Sequence, residues 1–137
     1  MHTFIQRFAG VVLLSASVGV LAAAPADIQR SLEAAARQES PGFAGFSAQR
    51  GAEFFKQTHG REWSCASCHT QDPTAAGRHA KTDKQIAALA PAANAERFTR
   101  PDKVEKWFRR NCNDVLGRAC SASEKGDVLT YLMSLGN

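Results

Sequence analysis

The sequence predicts an all-α domain, and two observations carry that prediction. Apolar side chains recur at helical spacing, and residues suited to capping stand where several of these segments begin. The periodic segments are Asp27 to Gln38, a stretch led in by Phe43 and Phe46, Thr99 to about Val115, and Ser121 to Leu135. We therefore expect helices that share one core.

Helix starts are marked by capping residues. The expected N-caps are Ser47, Thr99 (with Asp102 as its partner) and Ser121. Ser121 is followed three positions later by Glu124, which completes a capping box. Residues 70–94, by contrast, are rich in Pro, Gly and Ala and have no sustained period, so we expect mostly loop, with short helical turns around Lys84 to Leu89.

Residues 1–26 have the pattern of an export signal. Arg7 supplies the positive charge, an apolar run follows, and Ala24-Pro25-Ala26 is an A-x-A cleavage site. The alternative is an uncleaved anchor, but the run is short for a spanning helix of about 20 residues. We expect cleavage near Ala26, leaving residues 27–137 as one domain in the periplasm, an oxidising compartment, and not embedded in a membrane.

The strongest motif is Cys65-Ala66-Ser67-Cys68-His69. Two thiols three positions apart, with a histidine directly after the second, are typical of a c-type haem attachment site. Cys65 and Cys68 would each form a thioether with a haem vinyl group, and His69 would be the fifth ligand of the iron. We therefore expect one covalent haem c. The alternative is a thiol redox or zinc site.

The formal net charge of +4 is a mild excess, unlike the basic stripe of a nucleic-acid-binding protein. Basic side chains do cluster near the third periodic segment, at Arg97, Arg100, Lys103, Lys106, Arg109 and Arg110. This cluster is either a solvated helix face, with an arginine or two neutralising haem propionates, or a docking surface for an acidic redox partner.

The sixth position of the iron has several candidates. Val104, Trp107 and Phe108 form an apolar helical stripe that we expect to be buried at the cofactor, and Asn111 is its next member. A buried amide needs a partner, which is either a backbone group or the iron. Met133 and His79 are the other candidates; either would give a six-coordinate electron carrier.

The two remaining cysteines follow Asn111 closely. With Cys65 and Cys68 assigned to haem, Cys112 and Cys120 are left to form a disulfide in an oxidising compartment. Such a bridge would tie the end of the Asn111 helix to the start of the last helix. It is either a clip that holds Asn111 in place or a purely structural link.

The chain resembles the class I cytochromes c. Gly51 and Phe55 match the glycine–aromatic pair of the amino-terminal helix in that family, and Val128 and Tyr131 match its partner. The stretches Lys103 to Cys112, Gly117 to Cys120 and Glu124 to Asp127 are similar to the sphaeroides haem protein group of high-spin cytochromes c. That resemblance implies His69 as proximal ligand, Asn111 as distal ligand and a Cys112–Cys120 disulfide.

The resemblance also implies a function. Reduction would loosen the bond between iron and Asn111 and open a site for O2, NO or CO, with electrons coming from a dihaem cytochrome c. We expect an electron-transfer and ligand-binding haem protein rather than a dedicated enzyme. The alternatives are a six-coordinate electron carrier and a haem reductase of oxygen or nitrogen oxides.

Overall fold

The computed structural model describes residues 23–136, so most of the predicted export signal, residues 1–22, lies outside the described residues. Within this part of the chain the helices are α1 (Pro25–Glu39), α2 (Ala48–Lys56), α3 (Cys65–His69), α4 (Pro101–Leu116) and α5 (Ala122–Ser134). A small antiparallel hairpin joins β1 (Gly77–Arg78) to β2 (Gln85–Ile86). None of the helices between residues 23 and 136 is both long and apolar enough to cross a lipid bilayer.

The centre of the fold is the packing of α2 against α5. Gly51 lets the two helices approach so closely that an added Cβ would lie 1.9 Å from the Asp127 carbonyl oxygen. One turn later, the fully buried Phe55 ring lies 5.7 Å from the Tyr131 ring, centroid to centroid. Val128 and Leu132 complete this core. The expected pairing of Gly51 and Phe55 with Val128 and Tyr131 is confirmed.

An ion pair fixes the start of α2 on α5. The Asp127 carboxylate, 10% exposed, accepts hydrogen bonds from the Arg50 guanidinium at 2.7 and 2.8 Å and from the Ser47 backbone N–H at 2.7 Å. Because these donors satisfy a largely buried carboxylate, its burial carries no unpaired charge.

Helix α1 lies on the other side of α5. Ile28 and Ala36 are buried, and Gln29 donates a hydrogen bond to the Thr130 hydroxyl at 2.7 Å. At the far end of α1, the Glu39 carboxylate accepts from the Ala122 backbone N–H at 2.9 Å. An acidic group at this position also interacts favourably with the amino-terminal dipole of α5.

Two of the three expected N-caps are confirmed, because Ser47 accepts from Arg50 N–H and Ser121 forms its capping box with Glu124. The prediction for Thr99 is wrong. Its hydroxyl donates to the Glu96 carbonyl at 2.8 Å, and α4 begins one residue later than that cap would require, with Arg100 as its N-cap. Competition from a nearby carbonyl is the usual reason that a threonine leaves a cap position.

The expected helical turns around Lys84 to Leu89 are also wrong. Gln85 and Ile86 pair with Arg78 and Gly77 as a hairpin, and His79 N–H donates to the Lys84 carbonyl at 2.9 Å. Strands of two residues are too short to show an alternating pattern, so this hairpin has no periodic signal in the sequence.

Candidate functional site

The Cys-x-x-Cys-His motif forms α3, a single helical turn. Its start is fixed by a reciprocal capping box: the Ser64 hydroxyl accepts from Ser67 N–H at 3.2 Å, and the Ser67 hydroxyl accepts from Ser64 N–H at 3.0 Å. Ala66 is buried against Phe55 and Tyr131. Local hydrogen bonds and one buried methyl group therefore position a helix that is too short to be stable by itself.

The hairpin covers the carboxyl end of α3. Gly77 lies so close that an added Cβ would be 2.0 Å from the Cys68 carbonyl oxygen, and Ala80 N–H points to the Cys68 Sγ at 3.3 Å. Sequence reasoning missed both Gly77 and the Ser64 cap. An isolated glycine shortly after the motif was the available signal for close backbone approach.

Neither motif cysteine is part of a disulfide, and both are half-buried. Burial, with a smaller contribution from Cys68, raises the pKa of the Cys65 thiol to about 11. Burial therefore favours the protonated thiol over the thiolate at Cys65. The zinc alternative requires a group of at least three His, Cys, Asp or Glu side chains. No such group that could hold a metal ion occurs within residues 23–136.

His69 lies at the end of α3, half-buried, with its ring 6.5 Å from the Phe55 ring. Burial, and to a lesser extent the charge of Arg97, lowers the pKa of His69 to about 4. The imidazole is therefore neutral at neutral pH, which is the form that binds a metal. Two free thiols and a neutral imidazole on one turn of helix fit the donor set for a covalent haem.

The other candidate ligands for the iron have different surroundings. His79 Nδ1 accepts hydrogen bonds from the backbone N–H groups of Lys81 at 3.3 Å and Thr82 at 3.4 Å. His59, the third histidine of the described residues, donates from Nε2 to the Phe54 carbonyl oxygen at 2.8 Å, at the end of α2. Met133 lines a groove between the start of α1 and the end of α5, outside the core that contacts Cys65.

Only part of the α4 stripe is buried. Phe108 packs against the same core as Cys65, and Val104 and Phe108 line a groove of about 250 Å³ with Ile28 and Leu32 of α1. Trp107 is 48% exposed, so no protein side chain buries it, and its contact with the cofactor stays a prediction. The Val104–Phe108 side of α4 faces α1, and Trp107 lies beside the Arg110 guanidinium.

Asn111 is exposed one turn beyond Trp107, and no side-chain hydrogen bond joins its amide to another residue between 23 and 136. Cys112, the next residue, is buried and forms a disulfide with Cys120, whose Cα lies 5.6 Å away. A second link holds α4 to α5, because Lys125 Nζ lies 2.8 Å from the Glu105 carboxylate. These links fix the backbone that carries Asn111.

Residues 41–132 match the family described as Domain of unknown function (DUF1924). Among curated proteins, cytochrome c'' of Methylophilus methylotrophus is 49% identical over 80 residues, which cover 58% of this chain and 56% of that protein. Cytochrome c-type protein SHP of Cereibacter sphaeroides is 44% identical over 112 residues, covering 79% of this chain and 81% of that protein. The match therefore spans little more than half of the first relative and most of the second.

Solved structures give the same result. The structure of oxidized SHP, described as an oxygen binding cytochrome c, superimposes with a TM-score of 0.72 at 43% identity, covering 82% of this chain and 98% of that one. The crystal structure of oxidized cytochrome c'' from M. methylotrophus gives 0.71 at 38% identity, covering 80% and 93%.

The helical fold and the free Cys-x-x-Cys-His turn are those of a c-type cytochrome, a class that carries covalently bound haem c. The chain belongs to the DUF1924 family and, with these relatives, to the SHP-like group of high-spin cytochromes c. The predicted fold class and the predicted group are both confirmed.

Proposed function

We propose that this protein is a periplasmic cytochrome with one haem c, which accepts electrons and, when reduced, releases the Asn111 amide and binds a small diatomic molecule such as O2, NO or CO. The observation that carries the proposal is the placement of Asn111. Its amide is exposed, has no side-chain hydrogen bond to the described residues, and directly precedes a buried disulfide cysteine. An available amide on a tethered backbone suits a ligand that must bind and be released.

The residues of α3 hold the cofactor in this proposal. Cys65 and Cys68 supply the two thioether sulfurs, and the neutral His69 imidazole supplies the proximal nitrogen. The bound haem supplies a one-electron redox centre with a coordination position for a small ligand. On the α4 side, Phe108 packs on the shared core, and Trp107 and Phe108 are the proposed cofactor contacts.

Asn111 would bind the iron through its amide oxygen, as the distal ligand. This oxygen is a hard, weakly donating group, which suits ferric iron better than the softer ferrous iron. Bound haem would therefore hold the oxygen less firmly once reduced, while the Cys112–Cys120 disulfide and the Lys125–Glu105 ion pair keep the α4 backbone in place. The side chain can then swing aside without a shift of the helix, and either donate a hydrogen bond to the incoming ligand or return.

The descriptions of two relatives support this proposal. SHP is described as an oxygen binding cytochrome c. The solution structure of M. methylotrophus cytochrome c'' is described as giving insights into the structural basis of haem-ligand detachment; it superimposes with a TM-score of 0.71 at 38% identity, covering 82% of this chain and 94% of that one. We infer that ligand binding and ligand release belong to the same site here.

We infer that the electron donor is an acidic redox protein of the dihaem cytochrome c type. The α4 side chains Lys103, Lys106, Arg109 and Arg110 are basic and exposed. Such a surface attracts an acidic partner over a range of about 10 Å at 0.1 M salt. Export by residues 1–26, with cleavage near Ala26, places the protein where haem attachment and disulfide formation both occur.

The test is the ferric optical and electron paramagnetic resonance spectrum of the wild type beside Asn111→Ala. We expect the variant to lose the wild-type ligand field, because the distal donor is gone. Asn113→Ala is the matched control, since Asn113 is an exposed amide of the same helix, and it should leave the spectrum unchanged. An Asn111→Ala spectrum identical to that of the wild type would remove Asn111 from the mechanism.

A further inference from the structure

The loop of residues 79–84, which joins β1 to β2, lies against the sulfur of the second motif cysteine. The backbone N–H of Ala80 points to Cys68 Sγ at 3.3 Å. Once that cysteine carries haem, its sulfur is a thioether, which is a weak hydrogen-bond acceptor and has no proton to donate. Ala80 is exposed, so water competes for its N–H. The fold of the loop therefore has to hold this N–H toward the sulfur.

His79 folds the loop from inside. Its half-buried ring accepts at Nδ1 from the backbone N–H groups of Lys81 at 3.3 Å and Thr82 at 3.4 Å. A side chain that accepts from N–H groups two and three residues ahead bends the backbone into a turn, as Asn and Asp do in Asx turns. Ala80 lies between the ring and its two donors, so this turn fixes the backbone of Ala80.

The backbone groups of His79 also close the loop. Its N–H donates to the Lys84 carbonyl oxygen at 2.9 Å, and its carbonyl oxygen accepts from the Asp83 N–H at 2.9 Å. On the outer side, the Lys81 ammonium lies 4.5 Å from the centre of the Trp63 ring, in the segment that leads into the motif. The N–H, the carbonyl and Nδ1 of one residue thus all bond within the loop.

The hairpin meets Cys68 at two points, one on each side of His79. Gly77 packs on the Cys68 carbonyl oxygen so closely that no Cβ fits between them, and Ala80 reaches the sulfur of the same residue. The first contact is fixed by the bare backbone of a glycine. The second depends on the turn that the His79 ring makes.

We propose that His79 is a positioning residue for the attached haem: it holds the Ala80 N–H on the sulfur of Cys68, and this hydrogen bond raises the reduction potential of the iron. This rests on the haem attachment in the proposed function. A donor at the sulfur draws electron density away from the thioether and the ring it joins, which disfavours the ferric state. Hydrogen bonds to sulfur tune the potential of iron–sulfur centres in the same way.

Two competing roles for His79 give different results on substitution. As the sixth ligand of the iron, its imidazole would be required for the ferric ligand field. As a residue that only orders the loop, it would affect the backbone of residues 79–84 and leave the iron unchanged. The proposed role links the two, because a change in the loop reaches the iron through Ala80 and Cys68.

The experiment compares the wild-type holoprotein with His79→Ala, His79→Asn and Thr82→Ala. Asparagine keeps an acceptor for N–H groups two and three residues ahead, whereas alanine has none. Thr82→Ala is the matched control, because it removes an exposed side chain of the same loop and keeps the backbone donor. The readouts are hydrogen–deuterium exchange at the Ala80 amide, the midpoint potential and the ferric optical spectrum.

For His79→Ala we expect the Ala80 amide to exchange about tenfold faster than in the wild type. At a fixed ambient potential the ratio of oxidised to reduced protein should rise about threefold, equivalent to a midpoint about 28 mV lower. His79→Asn and Thr82→Ala should stay within about twofold of the wild type in both measurements. The ferric spectrum should match the wild type in all three variants.

An unchanged Ala80 exchange rate in His79→Ala would overturn the proposal, and so would faster exchange with an unchanged midpoint. A ferric spectrum altered equally in His79→Ala and His79→Asn would make His79 an iron ligand; the Asn111→Ala spectrum tests the proposed function separately. If His79→Ala yields no holoprotein, the wild type and His79→Asn decide the matter. Slow exchange at Ala80 in both would support the proposal, and exchange as fast as at the exposed Ala76 would refute it.

Discussion

Replacing Gly51 by alanine should destabilise the protein, because α2 and α5 touch at this residue. An added Cβ would lie 1.9 Å from the Asp127 carbonyl oxygen and 3.0 Å from the Tyr131 Cβ, both on α5. Ordinary contacts between such atoms are about 3.5 Å, so the helices must separate by more than about 1 Å. Overpacking of this kind costs about 1–3 kcal/mol. In an open helix the same change would instead stabilise by about 1 kcal/mol.

We expect the net loss to be about 2 kcal/mol in the free energy of unfolding, measured on the holoprotein by urea denaturation with far-ultraviolet circular dichroism. With a slope of about 1–3 kcal/mol per molar urea, the midpoint should fall by about 1 M. The matched control is Gly42→Ala, where nothing lies within 4 Å of the added atom. A Gly51→Ala midpoint at or above that of the control would refute the packing argument.

Three further changes test other contacts. Hydrogen bonding to Arg118 holds the pKa of the Glu124 carboxyl low. The carboxylate therefore contributes about 1 kcal/mol to the free energy of unfolding above the ordinary glutamate pKa, and this contribution is lost as pH falls through the lower folded-state pKa. The stability gap between the wild type and Glu124→Gln should therefore close in acid, and a gap independent of pH would contradict this. Replacing Cys112 and Cys120 by serine should cost about 2.5 kcal/mol by denaturation, as expected for a short closed loop, and no loss would argue against a constraining bridge. Gly77→Ala should lower the covalent haem per polypeptide, measured by haemochrome absorbance, because its Cβ would lie 2.0 Å from a backbone oxygen of the motif; full haem content would contradict that close contact.

The sequence predicts the parts of the fold that depend on local or periodic signals. Ser47 and Ser121 act as N-caps because their side chains meet backbone N–H groups three residues away, and that spacing is visible in the sequence. Gly51 and Phe55 sit one turn apart in α2, so a bare patch beside an aromatic ring indicates where another helix must pack. The Cys112–Cys120 bridge joins residues close in sequence on either side of Gly117, whose positive φ of 71° ends α4.

The errors arise where a contact distant in sequence or a competing hydrogen bond decides the structure. Thr99 bonds to a carbonyl behind it instead of capping α4. The hairpin at Gly77 exists because its backbone docks on Cys68, which no period in the sequence reports.

The central claim, that reduction frees the distal position, is tested most directly by the rate at which the reduced holoprotein binds CO. If Asn111 leaves on reduction, the observed rate should rise linearly with CO concentration, without denaturant, and Asn111→Ala should give a similar slope. If a protein ligand stays bound in the reduced form, the rate should level off at the dissociation rate of that ligand; Asn111→Ala should then be faster if the ligand is Asn111 and unchanged if it is Met133 or His79. A rate that saturates in the wild type would contradict the account.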